Sequence, residues 1–350
     1  MTDTTPSPLD AGPCVHGGRG GIVGLFVLAS LAVAARLLIG RGVDGDGTPT
    51  TVVGLPDPLL LEIRLSAMLA ASIAGAALGL SGLAFQILLR NPLASPWVLG
   101  VSSGAGFGLI LAMWLVRLGG AAALVGTGLL AGAGIPAAAF GALLAISIVW
   151  MLSRRLGGFD PVGLVLCGVV TSATFGAGIM LLQHLVPNGV RGDLVGWMMG
   201  RIPELAPGWL LAVGGVAVGV IAAAAWRAAP MLDASGLGDD EARSVGVPLD
   251  ALRRWLLSIG GGLAAIAVVM VGPIAFVGLL APHAARRLAG AGHRGVVLAT
   301  VVAGAGMLLG ADAIRQVVDL GGGRLPVGVL TALVGGPAFL GLLLRDRGRA

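Results

Sequence analysis

The sequence predicts an all-α membrane protein that crosses the bilayer about ten times. Of its 350 residues, 56% are hydrophobic and 11% are charged, whereas a soluble domain has about 25% charged residues. The mean hydropathy is +0.97. So few charges cannot cover the surface of soluble domains of this size, and so much apolar material excludes a disordered chain. The composition therefore indicates a membrane protein that crosses the bilayer several times.

Apolar runs long enough to span a bilayer follow one another along the chain. About 20 residues make one span, and charged residues or Pro and Asn separate the runs. We predict spans at 21–39, 65–87, 98–116, 134–152, 162–185, 208–226, 255–272, 274–289, 295–316 and 327–344. Because 274–289 is short and 119–152 is apolar throughout, nine or eleven spans are the alternatives.

The arginines indicate the orientation. All 22 basic residues are Arg, and 14 of them fall on the side that holds both chain ends in a ten-span arrangement. Basic residues concentrate in cytoplasmic loops, so we expect both termini in the cytoplasm. We therefore expect a cytoplasmic tail at 1–20, one transmembrane domain at 21–345 and a short cytoplasmic tail at 346–350.

The absence of lysine excludes two kinds of chemistry. A P-loop ATPase needs a lysine on the β- and γ-phosphates, and a Schiff-base enzyme needs a lysine amine. Cys14 and Cys167 form no CxxC pair and the histidines form no HExxH motif, so we predict no disulfide framework and no metal site. The pI is about 11, but the charge is spread over short loops, so we predict no nucleic-acid partner.

Small residues at helical spacing predict close packing of the helices. Glycines recur every four positions on one helix face at Gly100, Gly104 and Gly108. Gly75 with Gly79, and Gly306 with Gly310, form two further pairs. In lipid, small residues let helix backbones approach, so these positions indicate a compact bundle.

Two sequence blocks interrupt the apolar runs. Asn91-Pro92 ends a helix, because proline disfavours the α conformation in the preceding residue. Gly272-Pro273 breaks the chain in the same way before the short eighth run.

The longest polar connection, about 228–254, predicts a short cytoplasmic helix. Acidic residues at 239–241 complement the positive end of a helix. Gly246 is placed to end that helix, and Pro248 prevents its continuation.

Five ordered blocks resemble the permease subunits of ABC importers for iron-siderophores, haem and cobalamin, the FecCD-like family. They lie at 90–105 (RNPLASPWVLGVSSGA), 196–200 (GWMMG), 237–246, 272–294 (beginning GPIAFVGLLAPH and closing GHR) and 325–339 (containing LPVG and GGPAF). The resemblance covers about residues 60–345. It implies the type II importer permease fold, in the inner membrane of a bacterial cell.

The resemblance also implies a transport subunit that is not itself an enzyme. Its partners would be an ABC ATP-binding subunit, which holds the ATP and Mg, a substrate-binding protein, and a second permease subunit that is identical or paralogous. No cofactor is expected on this chain. The expected cargo is a ferric siderophore; cobalamin, haem and an oxyanion are the alternatives.

Site residues follow from the resemblance at three places. The ATPase-coupling residues are Leu237, Gly238, Asp239, Asp240, Glu241, Ala242, Arg243 and Gly246. Arg64 and Arg324 are expected to dock the binding protein, with interfacial snorkelling as the alternative. The chain departs from the family here, since 64–67 reads RLSA in place of RLPR. Asn188, Asp193 and Trp197 are expected to line the translocation path.

Two other classes of protein compete with this interpretation. A secondary transporter driven by protons or sodium needs a buried carboxylate in mid-span, and Asp312 is the one reasonable candidate. However, Arg315 lies three residues further on and can pair with it. A membrane enzyme or scaffold is the other alternative, but no span contains a nucleophile with a base.

Overall fold

The computed structural model describes residues 19–43, 49–118, 134–156, 160–186, 188–290, 292–318 and 324–347. Its helices are α1 (Arg19–Leu38), α2 (Pro58–Leu88), α3 (Val101–Leu118), α4 (Gly134–Arg155), α5 (Pro161–Leu185), α6 (Asn188–Met198), α7 (Gly208–Arg227), α8 (Ala229–Ser235), α9 (Asp239–Ser244), α10 (Leu249–Val271), α11 (Val277–Ala289), α12 (His293–Val317) and α13 (Val327–Arg347). A 3-10 helix lies at Pro96–Leu99, and two strands, β1 (Ile39–Val43) and β2 (Pro49–Val53), pair antiparallel. The predicted tail residues 1–18 and 348–350, and the connection 119–133, lie outside the described residues.

Helix α2 forms the centre of the bundle. It is 31 residues long, and α7, α10, α11 and α12 pack around it. Its buried residues are mainly alanine, glycine and leucine, which leave room for neighbouring backbones. The largest apolar cluster of the chain therefore forms around this helix.

The predicted close packing of small residues is confirmed at several positions. A Cβ added to Gly75 of α2 would lie 2.3 Å from the carbonyl oxygen of Gly304 in α12, and one on Gly104 of α3 would lie 2.4 Å from that of Gly141 in α4. Contacts this short leave no space for any side chain, so these helix pairs depend on glycine at the crossing.

Seven of the described helices, α1, α2, α4, α5, α7, α10 and α12, are long and apolar enough to cross a bilayer. Helices α3 and α13 contain shorter apolar stretches, Val101–Val116 and Val327–Leu342. The helical fold is thus confirmed, with bounds within a few residues of most predicted runs. The number of ten spans stays a prediction.

The eighth predicted run differs from the structure. Helix α11 begins at Val277, not at 274, and has 13 residues. Gly272 and Phe276 have φ angles of +74° and +67°, so the backbone between α10 and α11 is not helical. At 1.5 Å per residue α11 is about 20 Å long, which is too short to cross the hydrocarbon core.

The strand pair β1–β2 was not predicted, because residues 40–57 read as a simple connection. It marks one end of the bundle, which we call the hairpin end. The connection 199–207 lies at the same end, because the backbone N–H of Ala206 donates to Ser66 Oγ at 2.9 Å. The opposite end, which we call the coupling end, contains the connection 89–95 with α8 and α9, and the start of α12.

Candidate functional site

The coupling end presents a short helix that backbone hydrogen bonds close at its C-terminus. Helix α9 has six residues. The N–H of Val247 donates to Ala242 O at 2.9 Å, and that of Gly246 donates to Arg243 O at 3.0 Å, which is the Schellman arrangement. Gly246 has a φ of +85°, a left-handed conformation that favours glycine. The predicted helix and its end at Gly246 are confirmed.

One side of α9 is packed and the other is open. Ala242 is fully buried in an apolar cluster with α10. The apolar side chains of Leu237 and Val245, at either end of the helix, are 67% and 64% exposed. The exposed charged residues between them are Asp240, Glu241 and Arg243. Exposed apolar residues with charges between them are suited to contact with another protein.

Asp239 attaches α9 to two long helices. Its carboxylate accepts from Arg90 Nη2 at 2.5 Å and from Arg253 Nη2 at 2.9 Å. Arg90 follows the end of α2 and also donates to the carbonyl oxygen of Ser235 in α8 at 3.1 Å, while Arg253 lies in α10. Charge-assisted hydrogen bonds thus connect α9 to the C-terminal end of α2 and to α10.

Burial and the arginines act in opposite directions on the pKa of Asp239. Burial alone would raise the pKa, because desolvation disfavours the charged carboxylate. The hydrogen bond from Arg253 and the charges of Arg253, Arg90 and Arg243 lower it, and the net result is a pKa below the ordinary value. The carboxylate is therefore ionised at neutral pH.

Two of the sequence blocks meet where the chain is broken before α11. The indole Nε1 of Trp97 donates to Ile274 O at 3.2 Å, and Gln86 Nε2 donates to Leu279 O at 3.3 Å. Carbonyl groups at membrane depth need such partners, because lipid offers none. The end of α2 and the block that begins at Arg90 thus each supply a hydrogen bond to the backbone of the block that begins at Gly272.

The blocks at 196–200 and 325–339 meet at the other side of the same break. Gly200 has a φ of +76°, and a Cβ there would lie 2.7 Å from Pro273 O. A Cβ on Gly328 would lie 2.3 Å from Met199 O. The backbones of three blocks, at 196–200, 272–274 and 326–328, are therefore in direct contact, although they are far apart in the sequence.

At the hairpin end, a buried carboxylate lies between two buried arginines. Asp312 of α12 is fully buried and accepts from Arg315 Nε at 2.5 Å, which confirms that these two residues pair. Arg36, at the end of α1, donates to the other carboxylate oxygen. Because two guanidinium groups already neutralise it, Asp312 is a poor candidate for a proton- or sodium-binding carboxylate.

A cavity of about 690 Å³ lies within the bundle, next to the hairpin end. Helices α3, α4, α6, α10 and α12 contribute to its wall, together with the connections 201–207 and 324–326. Trp197 and Arg324, two of the predicted site residues, both line it. Helix α6 also contains Asn188 and Asp193, whose side chains lie outside the part of the structure that is described.

The two predicted docking arginines have different surroundings. Arg324 is partly exposed, at 37% of its side chain, and forms an ion pair with Glu204. Arg64 is only 7% exposed, and its guanidinium donates to the carbonyl oxygens of Leu37 and Gly54. Arg64 therefore ties the strand pair to α2, and this burial argues against a direct contact between Arg64 and another protein.

Several residues of the two ends were missed in the sequence. Arg253 and Val245 belong to the coupling end, and nothing in their spacing distinguishes them from ordinary surface residues. Arg36 could have been found, because a charge inside an apolar run is a functional or structural signal by default.

The apolar bundle, the break between α10 and α11 and the cavity are together typical of a multi-pass membrane transport protein. The model of the FecCD transport family matches residues 22–345. The chain therefore belongs to the FecCD transport family. It is an ABC importer permease, a transport subunit and not an enzyme.

Individual relatives agree with this assignment. The chain is 36% identical to the vitamin B12 import system permease protein BtuC of Klebsiella pneumoniae over 82% of this chain and 83% of that protein. It is 30% identical to the Fe(3+)-citrate import system permease protein YfmE of Bacillus subtilis, over 92% and 95%. A solved structure of a metal-chelate type ABC transporter in an inward-facing conformation matches with a TM-score of 0.77 and 27% identity, over 93% of this chain and 98% of the other.

Proposed function

We propose that this permease couples ATP hydrolysis on a partner subunit to the import of a metal chelate. The observation that supports the proposal most strongly is the attachment of α9 by Asp239. A short exposed helix, bonded to the ends of two long helices, is suited to transmit the movement of a docked protein to the bundle.

The partners are assigned to the two ends by this proposal. The ATP-binding subunit, which holds ATP and Mg, docks on α9 and its exposed residues Leu237, Arg243 and Val245. The substrate-binding protein docks at the hairpin end, where Arg324 and Glu204 offer paired charges that fix its orientation. The coupling end and both termini then face the cytoplasm of a bacterial cell, and the chain lies in the inner membrane.

A second permease subunit completes the transporter in this proposal. Helix α5 exposes many apolar side chains along its length, such as Val162, Leu166 and Met180, which lipid or a second subunit can cover. The translocation path then runs between the two subunits, next to Trp197 of each.

The proposed cargo is a ferric siderophore. The identity to a ferric-citrate permease and the likeness to a metal-chelate transporter support this class. Cobalamin is the second candidate, favoured by the 36% identity to the vitamin B12 permease.

Uptake by proteoliposomes tests the proposal. The chain is reconstituted with its ATP-binding subunit and binding protein, with no ion gradient, and uptake of radioactive iron chelate and of cobalamin is measured with and without ATP. We expect uptake of the iron chelate only with ATP. The measurement is repeated without ATP under an imposed proton or sodium gradient, and uptake under those conditions would show the proposal to be wrong.

Variants of α9 locate the contact with the ATP-binding subunit. Replacing Glu241 or Arg243 with glutamine should lower uptake and leave docking of the binding protein intact. Asp250→Asn is the matched control, because this exposed aspartate lies just outside α9 and makes none of the bonds that attach it. Normal uptake by both α9 variants would place the contact elsewhere.

A further inference from the structure

The cavity next to the hairpin end has an excess of positive charge in its wall. Arg201, Arg315 and Arg324 line it, and of the described side chains that line it Glu204 is the one acid. Glu204 is already paired with Arg324. The remaining positive charge therefore belongs to Arg201 and Arg315.

Arg315 is held in the wall with part of its hydrogen-bonding capacity unused. Its Nε donates to Asp312, but its buried Nη2 has no acceptor among the described residues. Asp312 also pairs with Arg36, so its single negative charge is shared between two arginines and does not fully neutralise Arg315. Arg64 lies close enough to Arg36 for the two positive charges to interact.

Arg201 is the accessible member of the group. Its backbone N–H donates to Val271 O at 2.7 Å, which fixes its position beside the end of α10. Its side chain is exposed and forms no ion pair within the described part of the chain. A guanidinium in this position offers a planar pair of donors, the geometry that matches a carboxylate or another oxyanion.

The buried cluster of Arg36, Arg315 and Asp312 contains two positive charges and one negative charge. Excess buried charge in a region of low dielectric is costly unless a counter-charge is supplied. The cavity has the volume of an ordinary small-molecule site. We propose that it binds an anionic group of the cargo, a free carboxylate or a comparable oxyanion, with Arg201 as the contact residue and Arg315 as the source of positive potential in the wall.

This inference rests on the proposed function and narrows it to cargo that bears free anionic groups. A neutral chelate would leave Arg201 without a counter-charge. A carboxylate side chain of a docking protein is the other source of such a charge, and the experiment below distinguishes the two.

Binding by the full-length permease alone, in lipid nanodiscs, tests the site. Radioactive citrate is the anionic probe, and triethyl citrate, its uncharged ester, is the neutral competitor. We expect saturable citrate binding that the ester does not displace and that weakens with salt. Arg201→Gln should weaken it about tenfold, because one charge-assisted contact is lost, and Arg201→Lys should restore part of the affinity.

Arg155→Gln is the matched control, since it removes an equal charge from an exposed position at the coupling end. Equal citrate binding by the unchanged chain and by Arg201→Gln would overturn the inference, as would displacement by the ester. If Arg201→Gln weakens capture of the binding protein but leaves citrate binding unchanged, the arginine serves docking and the inference is wrong.

The binding measurement needs no ATP and no partner subunit. A failure of citrate binding together with intact ATP-driven uptake would reject the anion site alone. Intact citrate binding with uptake that does not depend on ATP would instead reject the proposed function.

Discussion

The two ends of the bundle contain ion clusters of the same composition in opposite surroundings. At the coupling end, Asp239 lies between Arg90 and Arg253, and a third of its side chain, 33%, is exposed. At the hairpin end, Asp312 lies between two arginines and is fully buried. Each cluster joins an aspartate to at least one arginine from another element, Arg90 and Arg253 at the coupling end and Arg36 at the hairpin end.

Burial decides what each cluster can do. A partly exposed ion pair contributes about 1 kcal/mol or less, since water competes for both partners, so the Asp239 cluster can break at little cost in free energy. Removal of one partner from a buried pair costs about 3–5 kcal/mol. The Asp312 cluster therefore holds α1 and α12 together at the hairpin end.

The largest expected effect is the loss of the buried carboxylate. Asp312→Asn leaves Arg36 and Arg315 buried without a counter-charge, so it should lower the free energy of unfolding by about 3–5 kcal/mol. The amount of folded chain that survives heating in detergent, followed by size-exclusion chromatography, measures this. Asp250→Asn should leave it unchanged. A heat resistance of Asp312→Asn equal to that of the unchanged chain would remove the distinction between the two ends.

The second effect concerns transport. Asp239→Asn should cost only about 1 kcal/mol of stability, yet lower ATP-driven uptake several-fold, because α9 is then less firmly bonded to α2 and α10. Uptake and ATP hydrolysis are measured in parallel in proteoliposomes. We expect hydrolysis to continue while uptake falls. A proportional loss of both would indicate that Asp239 is needed for docking of the ATPase and not for transmission of its movement.

The third effect is the interaction energy between Arg90 and Arg253, which share Asp239. Arg90→Gln and Arg253→Gln each remove one of the two partners of Asp239. Each single variant keeps one arginine on the carboxylate and loses the repulsion between the two guanidinium groups, so the double variant should lose more stability than the sum of the two single losses. A double-mutant cycle on unfolding midpoints should give a coupling of about 0.5–1 kcal/mol. Strict additivity would mean that the two arginines do not act through a shared carboxylate.

The smallest effect is a dependence on pH. Because the arginines hold the pKa of Asp239 below its ordinary value, its stabilisation is complete above the ordinary pKa of about 3.9 and is lost as the pH falls through the lower pKa of the folded state. The stability difference between the unchanged chain and Asp239→Asn should thus stay constant from pH 8 to about pH 5 and shrink in stronger acid. A difference that widens in acid would contradict the assigned direction.

The elements that depend only on neighbouring residues could be predicted from the sequence. The apolar runs predicted α4, α5 and α7 closely, and the acidic residues followed by Gly246 predicted α9. The strand pair was missed because its signal is short: β-branched residues at 50–53 follow the Asp-Gly pairs at 44–47, a pattern typical of a hairpin.

The Asp312–Arg315 pair could be predicted from its spacing, but the other members of the ion clusters come from other elements of the chain. Arg36 and Asp312 are 276 positions apart, so no local pattern joins them. The docking role of Arg64 was an expectation from the family resemblance, in which outer-face arginines contact the binding protein. The acceptors of Arg64 are carbonyl groups that become available only when α1 and the strands are folded against α2.

The short helix α11 also constrains how the chain is made. Thirteen residues are too few for the insertion machinery to place across a bilayer as an independent segment. Its first turn and the break before it rely on hydrogen bonds from Gln86 and Trp97, both in the first third of the chain. Since the ribosome produces that third first, α11 can fold stably only once the early part of the chain already occupies the membrane.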